Sequence, residues 1–284
     1  MTEPTIGALV ADGARRLAVA VGDEVGRIEA RALLRRILNL DEAKLLTRAT
    51  DCVVEQVAAD FEQLMQRRLA GEPVAYIVGN CEFMGLDFLT TPAALVPRPE
   101  TEEMTEAALL HLPQNIGRVL DLGTGCGAIG LTIARAKEKS HILLSDASEQ
   151  TLDLAQKNAR HLGVANANFH CGDWFSQMSS ETFDLIVSNP PYVAANDTAM
   201  ESLRYEPLLA LDGGADGLRS LRAVIGGAPR HLTAGGVLLV EHGANQAAAV
   251  RDLFAEAGFC GTRCARDLAG HSRFTLGVRG GGRR

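Results

Sequence analysis

What this chain has little of narrows the field first. It lacks a basic excess: 28 Lys and Arg stand against 35 Asp and Glu, a net charge of -7. Proteins that grip DNA or RNA usually present a positive surface, so this balance speaks against direct nucleic-acid binding and leaves room only for a local patch. It lacks any apolar run of about 18 residues, so no membrane span is expected. Its first residues, Met1-Thr2-Glu3-Pro4, have neither the basic start nor the apolar core of a secretory leader, and a cytoplasmic location is expected. Six cysteines, at 52, 81, 126, 171, 260 and 264, form no C-x-x-C pair and read as reduced thiols. Seven dispersed histidines make no metal-ligand spacing with Cys or Glu, so no metal is expected. No internal repeat is visible. What remains is an ordinary globular composition, 46% hydrophobic and 22% charged over 284 residues, enough for one large domain or two.

The texture changes along the chain. Residues 1–72 are helical in character. Ile28, Ala32, Leu33, Ile37 and Leu38 recur at helical spacing, with Arg31, Arg35 and Arg36 opposite. Asp41 is placed to cap a short helix through Leu45 and Leu46. Val54, Val57, Phe61, Leu64, Met65 and Leu69 trace a longer one, closed by Gly71 and Pro73. This bundle carries no chemistry; it is either a stabilising cap or a docking surface for a macromolecule. Residues 73–95 read as a hairpin linker, with strands at Tyr76–Gly79 and Leu86–Thr90 around Gly85. Residues 96–279 form the remaining domain. Pro99 suits the first position of a helix with acids in its first turn, so Arg98 and Glu100 are either a solvated helix start or part of a site. From Arg118 onward strands and helices alternate, which implies a Rossmann-like, doubly wound parallel sheet. Arg273–Val278 alternates as an edge strand would. The tail 280–284, Gly-Gly-Gly-Arg-Arg, is expected to be disordered.

Two stretches carry chemistry. The first is Ser188-Asn189-Pro190-Pro191-Tyr192, after the apolar run Phe183–Val187. Two prolines cannot continue a ladder, so the chain turns out at the strand's carboxyl end, where open α/β sheets place ligands. Asn189 brings a carbonyl and two N–H donors, and Tyr192 a flat face with a hydroxyl. The group suits a planar substrate bearing an NH2; a plain strand exit is the alternative. The second is Asp121-Leu122-Gly123-Thr124-Gly125-Cys126-Gly127-Ala128-Ile129-Gly130. Gly125, Gly127 and Gly130 satisfy G-x-G-x-x-G, a weak signal alone. A strand ending in Asp before Gly-x-Gly-x-Gly is the form usual for S-adenosylmethionine. Asp146 ends the next strand, where a carboxylate accepts ribose hydroxyls or else serves the following helix start. Asp173-Trp174 ends the third, where the Trp174 ring or the Asp173 carboxylate borders an adenine, or Trp174 packs in the core.

These two motifs, in this order in one α/β domain, resemble class I methyltransferases that methylate planar nitrogens. Gly71–Gly79, Val96-Pro97-Arg98-Pro99-Glu100-Thr101-Glu102, Tyr205-Glu206-Pro207, Leu211–Leu218 and Asp267-Leu268-Ala269-Gly270 are similar to the release-factor glutamine methyltransferase family, HemK/PrmC. Cys81 and Cys126 stand where that family often has other small residues. The resemblance covers nearly the whole chain. It implies a seven-stranded class I methyltransferase sheet and S-adenosylmethionine as cofactor. The expected reaction is methyl transfer to N5 of the glutamine in the Gly-Gly-Gln motif of class 1 peptide chain release factors, supporting translation termination. Carried over by position, Gly123, Thr124, Gly125, Cys126, Gly127, Asp146, Trp174 and Asn189 bind the cofactor. Asn189, Pro190, Pro191 and Tyr192 hold the substrate amide. The N-terminal helices help dock the release factor, and the enzyme is expected to act as a monomer.

The expected chemistry gives Asn189 Oδ1 and the Pro190 carbonyl one amide N–H each, with Tyr192 stacked on the amide plane. Asn189, Pro190 and Tyr192 are thus the candidate catalytic residues. Glu100 and Glu241 are either acceptors of the late proton or structural acids, the latter preferred. The alternative function is an adenine-N6 or guanine-N2 nucleic-acid methyltransferase. A non-catalytic binding module fits poorly with two intact motifs. An NAD-dependent dehydrogenase lacks a hydride site.

Overall fold

The computed structural model describes residues 3–112, 117–176, 178, 181–267 and 269–281. Leu268 and residues 282–284 of the tail therefore lie outside the described residues. The chain divides into two units between Asn80 and Cys81.

Among the described residues, the first unit holds five helices: α1 (Ile6–Val21), α2 (Asp23–Leu38), α3 (Glu42–Thr47), α4 (Glu55–Leu69) and α5 (Val74–Val78). Thr5 caps α1 and Asp41 caps α3, each through a side-chain oxygen that accepts a backbone N–H, at 3.2 and 2.7 Å. Ile6, Leu17, Leu33, Leu34, Phe61 and Met65 meet in the core. The apolar face of α2 is rotated from the one its spacing suggests. Ile28 is 53% exposed, while Ala30, Leu33 and Leu34 are fully buried. The cause is α1, which runs so close to α2 that a Cβ on Gly26 would meet Ala14 O and Ala18 N at 2.9 Å. The small residues, not Ile28, take the contact. Glu29 enters the core beside them because Arg68 donates to it at 2.8 Å.

Tyr76–Gly79 is a correction. The segment lies in helix α5 and its end, and the strand begins at Asn80. Pro73, with φ fixed at -55°, starts the turn, and its carbonyl accepts from Tyr76 N and Ile77 N at 3.0 and 3.2 Å. Burial of Ala75, Tyr76 and Ile77 holds it, and Gly79 ends it.

A hairpin, β1 (Asn80–Phe83) and β2 (Leu86–Leu89), precedes α6 (Pro99–His111). The alternation follows: β3 (Arg118–Leu122), α7 (Ala128–Ala136), β4 (His141–Asp146), α8 (Glu149–His161), β5 (Ala167–Cys171), β6 (Phe183–Ser188), the short α9 (Ala199–Ser202), α10 (Arg219–His231), β7 (Leu232–Glu241), α11 (Ala247–Glu256), β8 (Phe259–Arg266) and β9 (Ser272–Arg279). The seven-stranded sheet has the order β5-β4-β3-β6-β7-β9-β8, parallel except around β9. The period of two sorts its side chains. Val119, Leu185, Val187, Val237 and Leu239 join the core that includes α6, α7 and α8. Leu120, Ile186, Leu238 and Val240 join the one formed with α10 and α11.

The alternation of β9 marked it as an edge strand, and the structure places it inside the sheet between β7 and β8. The edge is β8, whose sequence gives little sign of a strand because only Phe259 is buried. Strand order reverses between β3 and β6, which pair directly through Leu120 and Ile186. The crevice at their carboxyl ends is the place such sheets offer a ligand. Among the described residues, no helix is long and apolar enough to cross a membrane.

Candidate active site

A cavity of about 680 Å³ opens at this crevice. Its walls include Gly123, Thr124, Gly125, Cys126, Asp146, Trp174, Asn189 and Pro191, so most of the residues singled out by sequence come together. Gly127, Pro190 and Tyr192 do not line it.

The glycine loop is shaped by Asp121. This carboxylate is fully buried; its Oδ2 accepts from Thr124 Oγ1 at 2.5 Å and Gly130 N at 2.8 Å. Burial pushes its pKa up to about 6, against the pull of those two donors. Gly125 (φ +60°) and Gly127 (φ +90°) occupy the left-handed region that a side chain would strain. A Cβ at Gly125 would meet nothing within 4 Å, whereas one at Gly127 would strike Leu131 Cδ1 at 2.7 Å. One glycine keeps a bare backbone toward open space, and the other lets helix α7 approach. From further away, Asn158 Nδ2 donates to Cys126 O at 2.8 Å and to Leu89 O at 3.1 Å, while its Oδ1 accepts from Leu89 N.

Asp146 stands across the loop. Its Oδ2 accepts from Gly125 N and its Oδ1 from Ser148 N, both at 3.0 Å. Burial raises its pKa, and these backbone donors oppose the rise. A carboxylate has about four lone-pair sites, so capacity remains for two further hydroxyls. Next to it, Ser145 Oγ is buried, in a residue that lines the cavity, and has no partner among the described residues. Trp174 holds a left-handed backbone (φ +48°), rare for so bulky a residue and characteristic of ligand sites. A Cβ on Gly123 would sit 3.6 Å from its ring. Bare backbone, an unpartnered hydroxyl, a carboxylate and an aromatic face fit a ligand with an amino-acid end, a ribose and a purine.

The opposite wall is the Asn189–Tyr192 turn. Ser188 Oγ donates to Leu122 O at 2.6 Å and ties it to β3. Asn189 Nδ2 donates to Thr101 Oγ1 at 3.3 Å. Asn189 Oδ1 and the buried Pro190's carbonyl accept no hydrogen bond among the described residues. Tyr192 OH donates to Glu241 Oε1 at 3.1 Å, and burial beside that carboxylate raises the phenol's pKa. The Tyr192 carbonyl accepts from Gln246 Nε2 at 3.0 Å. Glu241 and Glu100 lie off the cavity wall. Val96 N donates to Glu206 Oε2 at 3.1 Å, and Arg98 pairs with its other oxygen, so the segment through Arg98 is strapped to Tyr205-Glu206-Pro207.

Sequence reasoning left Asp121, Thr101, Asn158, Ser145 and Gln246 without roles. Asn158 had a legible signal, being polar on the α8 face that carries Leu154, Ala155 and Ala159. Ser145 and Gln246 had none.

Comparison with known proteins follows the same lines. Residues 8–79 match the PrmC N-terminal domain family and residues 90–205 the Methyltransferase small domain family. The release factor glutamine methyltransferase of Neisseria gonorrhoeae (strain ATCC 700825 / FA 1090) is 47% identical, over 88% of this chain and 93% of its own length. That of Xylella fastidiosa (strain Temecula1 / ATCC 700964) is 41% identical, over 92% and 96%. A methyltransferase from Pyrococcus furiosus, solved by crystallography, superposes with a TM-score of 0.54 at 19% identity, over 77% of this chain and 99% of that one, and shares the fold.

Proposed function

We propose a reaction for a chain that belongs to the release factor glutamine methyltransferase family: methyl transfer from S-adenosylmethionine to the side-chain amide nitrogen of the glutamine in the Gly-Gly-Gln motif of class 1 peptide chain release factors. The observation that carries it is the shared cavity, walled on one side by the glycine loop, Asp146 and Trp174, and on the other by Asn189.

The cofactor supplies an electrophilic methyl on a sulfonium sulfur when bound. The backbone of Gly123–Gly127, with Asp146, Trp174 and Asn189, holds it. The remaining chemistry belongs to the turn. An amide nitrogen is a poor nucleophile because its lone pair is delocalised into the carbonyl. Asn189 Oδ1 and the Pro190 carbonyl, both without hydrogen-bond partners among the described residues, accept one N–H each. That fixes the nitrogen, directs its lone pair and favours the pyramidal geometry in which positive charge develops. Pro191 stiffens the turn, and Tyr192 stacks on the amide with its hydroxyl anchored at Glu241. Once the nitrogen has taken the methyl, with the bonding pair of the broken S–C bond left on sulfur, it loses one amide proton to water. Orientation of this kind contributes at most about 7–11 kcal/mol. The helical unit docks the release factor in this proposal; it exposes Val19, Ile28, Leu46 and Val54.

The test is Asn189→Ala with labelled methyl donor and purified release factor, read by mass spectrometry of the Gly-Gly-Gln peptide. The wild type is expected to add one methyl to glutamine, and the variant to lose at least about 100-fold in kcat, as removal of one transition-state contact does elsewhere. Turnover within a few-fold of wild type would remove Asn189 from the reaction.

A further inference from the structure

We infer that Glu241 is a positioning residue that acts through Thr101 to decide which end of the Asn189 carboxamide faces the transfer site. The inference rests on the amide-methylation reading above. It starts from proton counting. Glu241, at the carboxyl end of β7, is 1% exposed. Its Oε2 accepts from Thr101 Oγ1 at 2.7 Å and its Oε1 from Tyr192 OH at 3.1 Å. A hydroxyl has one proton to give. Thr101 gives it to Glu241, so Thr101 Oγ1 can only accept from its other neighbour. That neighbour, 3.3 Å away, is the Asn189 carboxamide, which must present its NH2. Oδ1 is thereby turned away from Thr101 and left free to accept a substrate N–H. Carboxylate, hydroxyl and carboxamide form a chain in which the charge at one end sets the polarity at the other.

The ionised carboxylate fixes the polarity at both of its bonds, because a carboxylic acid would itself donate and reverse one of the two. Burial, with a smaller push from the Glu100 charge, holds its pKa above the ordinary carboxylate value; the Thr101 and Tyr192 hydroxyls and the positive charge of Arg273 oppose that rise and favour the carboxylate. Arg273 is in turn fixed by Asp267, whose Oδ2 accepts from its Nη2 at 2.9 Å and its Nε at 3.2 Å. Asp267 Oδ1 accepts from His271 N at 2.9 Å. Asp267, in a stretch conspicuous in the sequence and off the cavity wall, thus keeps a cation near Glu241 and Tyr192.

Thr101→Val keeps the shape and deletes the hydroxyl. Thr101→Ser keeps the hydroxyl. Glu241→Gln keeps the size but supplies a donor where the chain needs an acceptor. The full-length enzyme is assayed with S-adenosylmethionine and intact release factor, and the fold of each variant is checked by thermal unfolding and by donor binding. Loss of one hydrogen bond to a charged group predicts that Thr101→Val and Glu241→Gln lower kcat about 10- to 100-fold. KM for release factor and Kd for the donor should stay within about threefold, and Thr101→Ser should restore kcat. On an Asn189→Ala background neither change should cost a further factor above about two, since the group they orient is gone. Full kcat in Thr101→Val while Asn189→Ala is inactive would overturn the relay and leave the transfer site standing. An equal loss in Thr101→Ser, or full additivity with Asn189→Ala, would also overturn it by assigning Thr101 a purely structural part. Activity of Asn189→Ala itself would remove the reading on which the relay depends.

Discussion

On the cofactor wall, Asp121 reaches Thr124 three residues on and Gly130 nine residues on. On the acceptor wall, Asn189 reaches Thr101 across 88 residues, and Thr101 reaches Glu241 across 140. The glycine loop of the first wall is made of backbone, with the Asp146 and Trp174 side chains beside it. Its glycines expose N–H groups and its one buried acid holds the turn from inside. The second sets beside the Pro190 carbonyl two side chains, Asn189 and Tyr192, each oriented by a partner from another element. A backbone wall tolerates change in side chains that do not set its path. A side-chain wall fails when any member of the chain changes polarity. Asn158 complicates the contrast, for it serves the backbone wall from a distance, spanning 32 residues to Cys126 and 69 to Leu89.

The strongest test of the contrast is Asn158→Ala. The side chain is fully buried and serves the Cys126 carbonyl and both backbone groups of Leu89. Stranded buried groups cost about 1–3 kcal/mol each, so a loss of about 3–5 kcal/mol in unfolding free energy is expected. Donor affinity should fall with it. Denaturant unfolding and calorimetry check the two quantities. Stability lost with donor affinity intact would mean that Asp121 alone sets the glycine loop.

The same contrast explains what was legible in the sequence. The loop from Asp121 to Gly130 compresses its geometry into ten residues, so its spacing announces a nucleotide-type ligand. Asn189-Pro190-Pro191-Tyr192 announced a rigid acceptor turn for a similar reason, since two prolines end a strand wherever they fall. The parallel alternation was legible because β3, β4 and β6 are short apolar runs between helical stretches. The partners of the acceptor wall were not. Thr101 is one threonine in an acidic helix start until the fold sets it against β7. Glu241 read as a structural acid or a proton acceptor, with nothing local to say that two hydroxyls meet it. The misreadings share this cause. Ile28 looked buried until α1 claimed the opposite side of α2, and β9 looked like an edge until β8, nearly without buried residues, paired beyond it.

A smaller effect separates the two buried acids that shape the walls. Asp121 titrates near 6 in the folded protein against an ordinary 3.8. The gap is about 2 pH units, and at about 1.4 kcal/mol per unit its carboxylate form costs about 3 kcal/mol. The sign follows from the raised value: the group's favourable contribution is complete below about 3.8 and is lost as pH rises through about 6. The unfolding free energy of wild type minus that of Asp121→Asn should therefore fall by about 2 kcal/mol between pH 4 and pH 7. Urea titrations at several pH values measure it. A flat difference would place the Asp121 carboxylate in a far more polar setting than its burial indicates.

The smallest expected effect falls at Cys126, the one bulky side chain between Gly125 and Gly127. It is 3% exposed and packs with Ile129 and Leu154 in the core. The bond from Asn158 lands on its carbonyl, so the backbone is what the loop uses. Cys126→Ala should cost about 1 kcal/mol for a small lost volume and change donor affinity by no more than about twofold. Burial in apolar surroundings also pushes its thiol up to about 12. At pH 8 the thiolate fraction is then on the order of one part in ten thousand, and alkylation of the folded enzyme should spare Cys126 while it labels the exposed Cys52, Cys171 and Cys260. Thr101→Val deletes a single hydroxyl and is expected to cost far more turnover, because there the side chain itself carries the geometry. Donor affinity collapsing in Cys126→Ala would mean that the glycine loop, too, acts through a side chain.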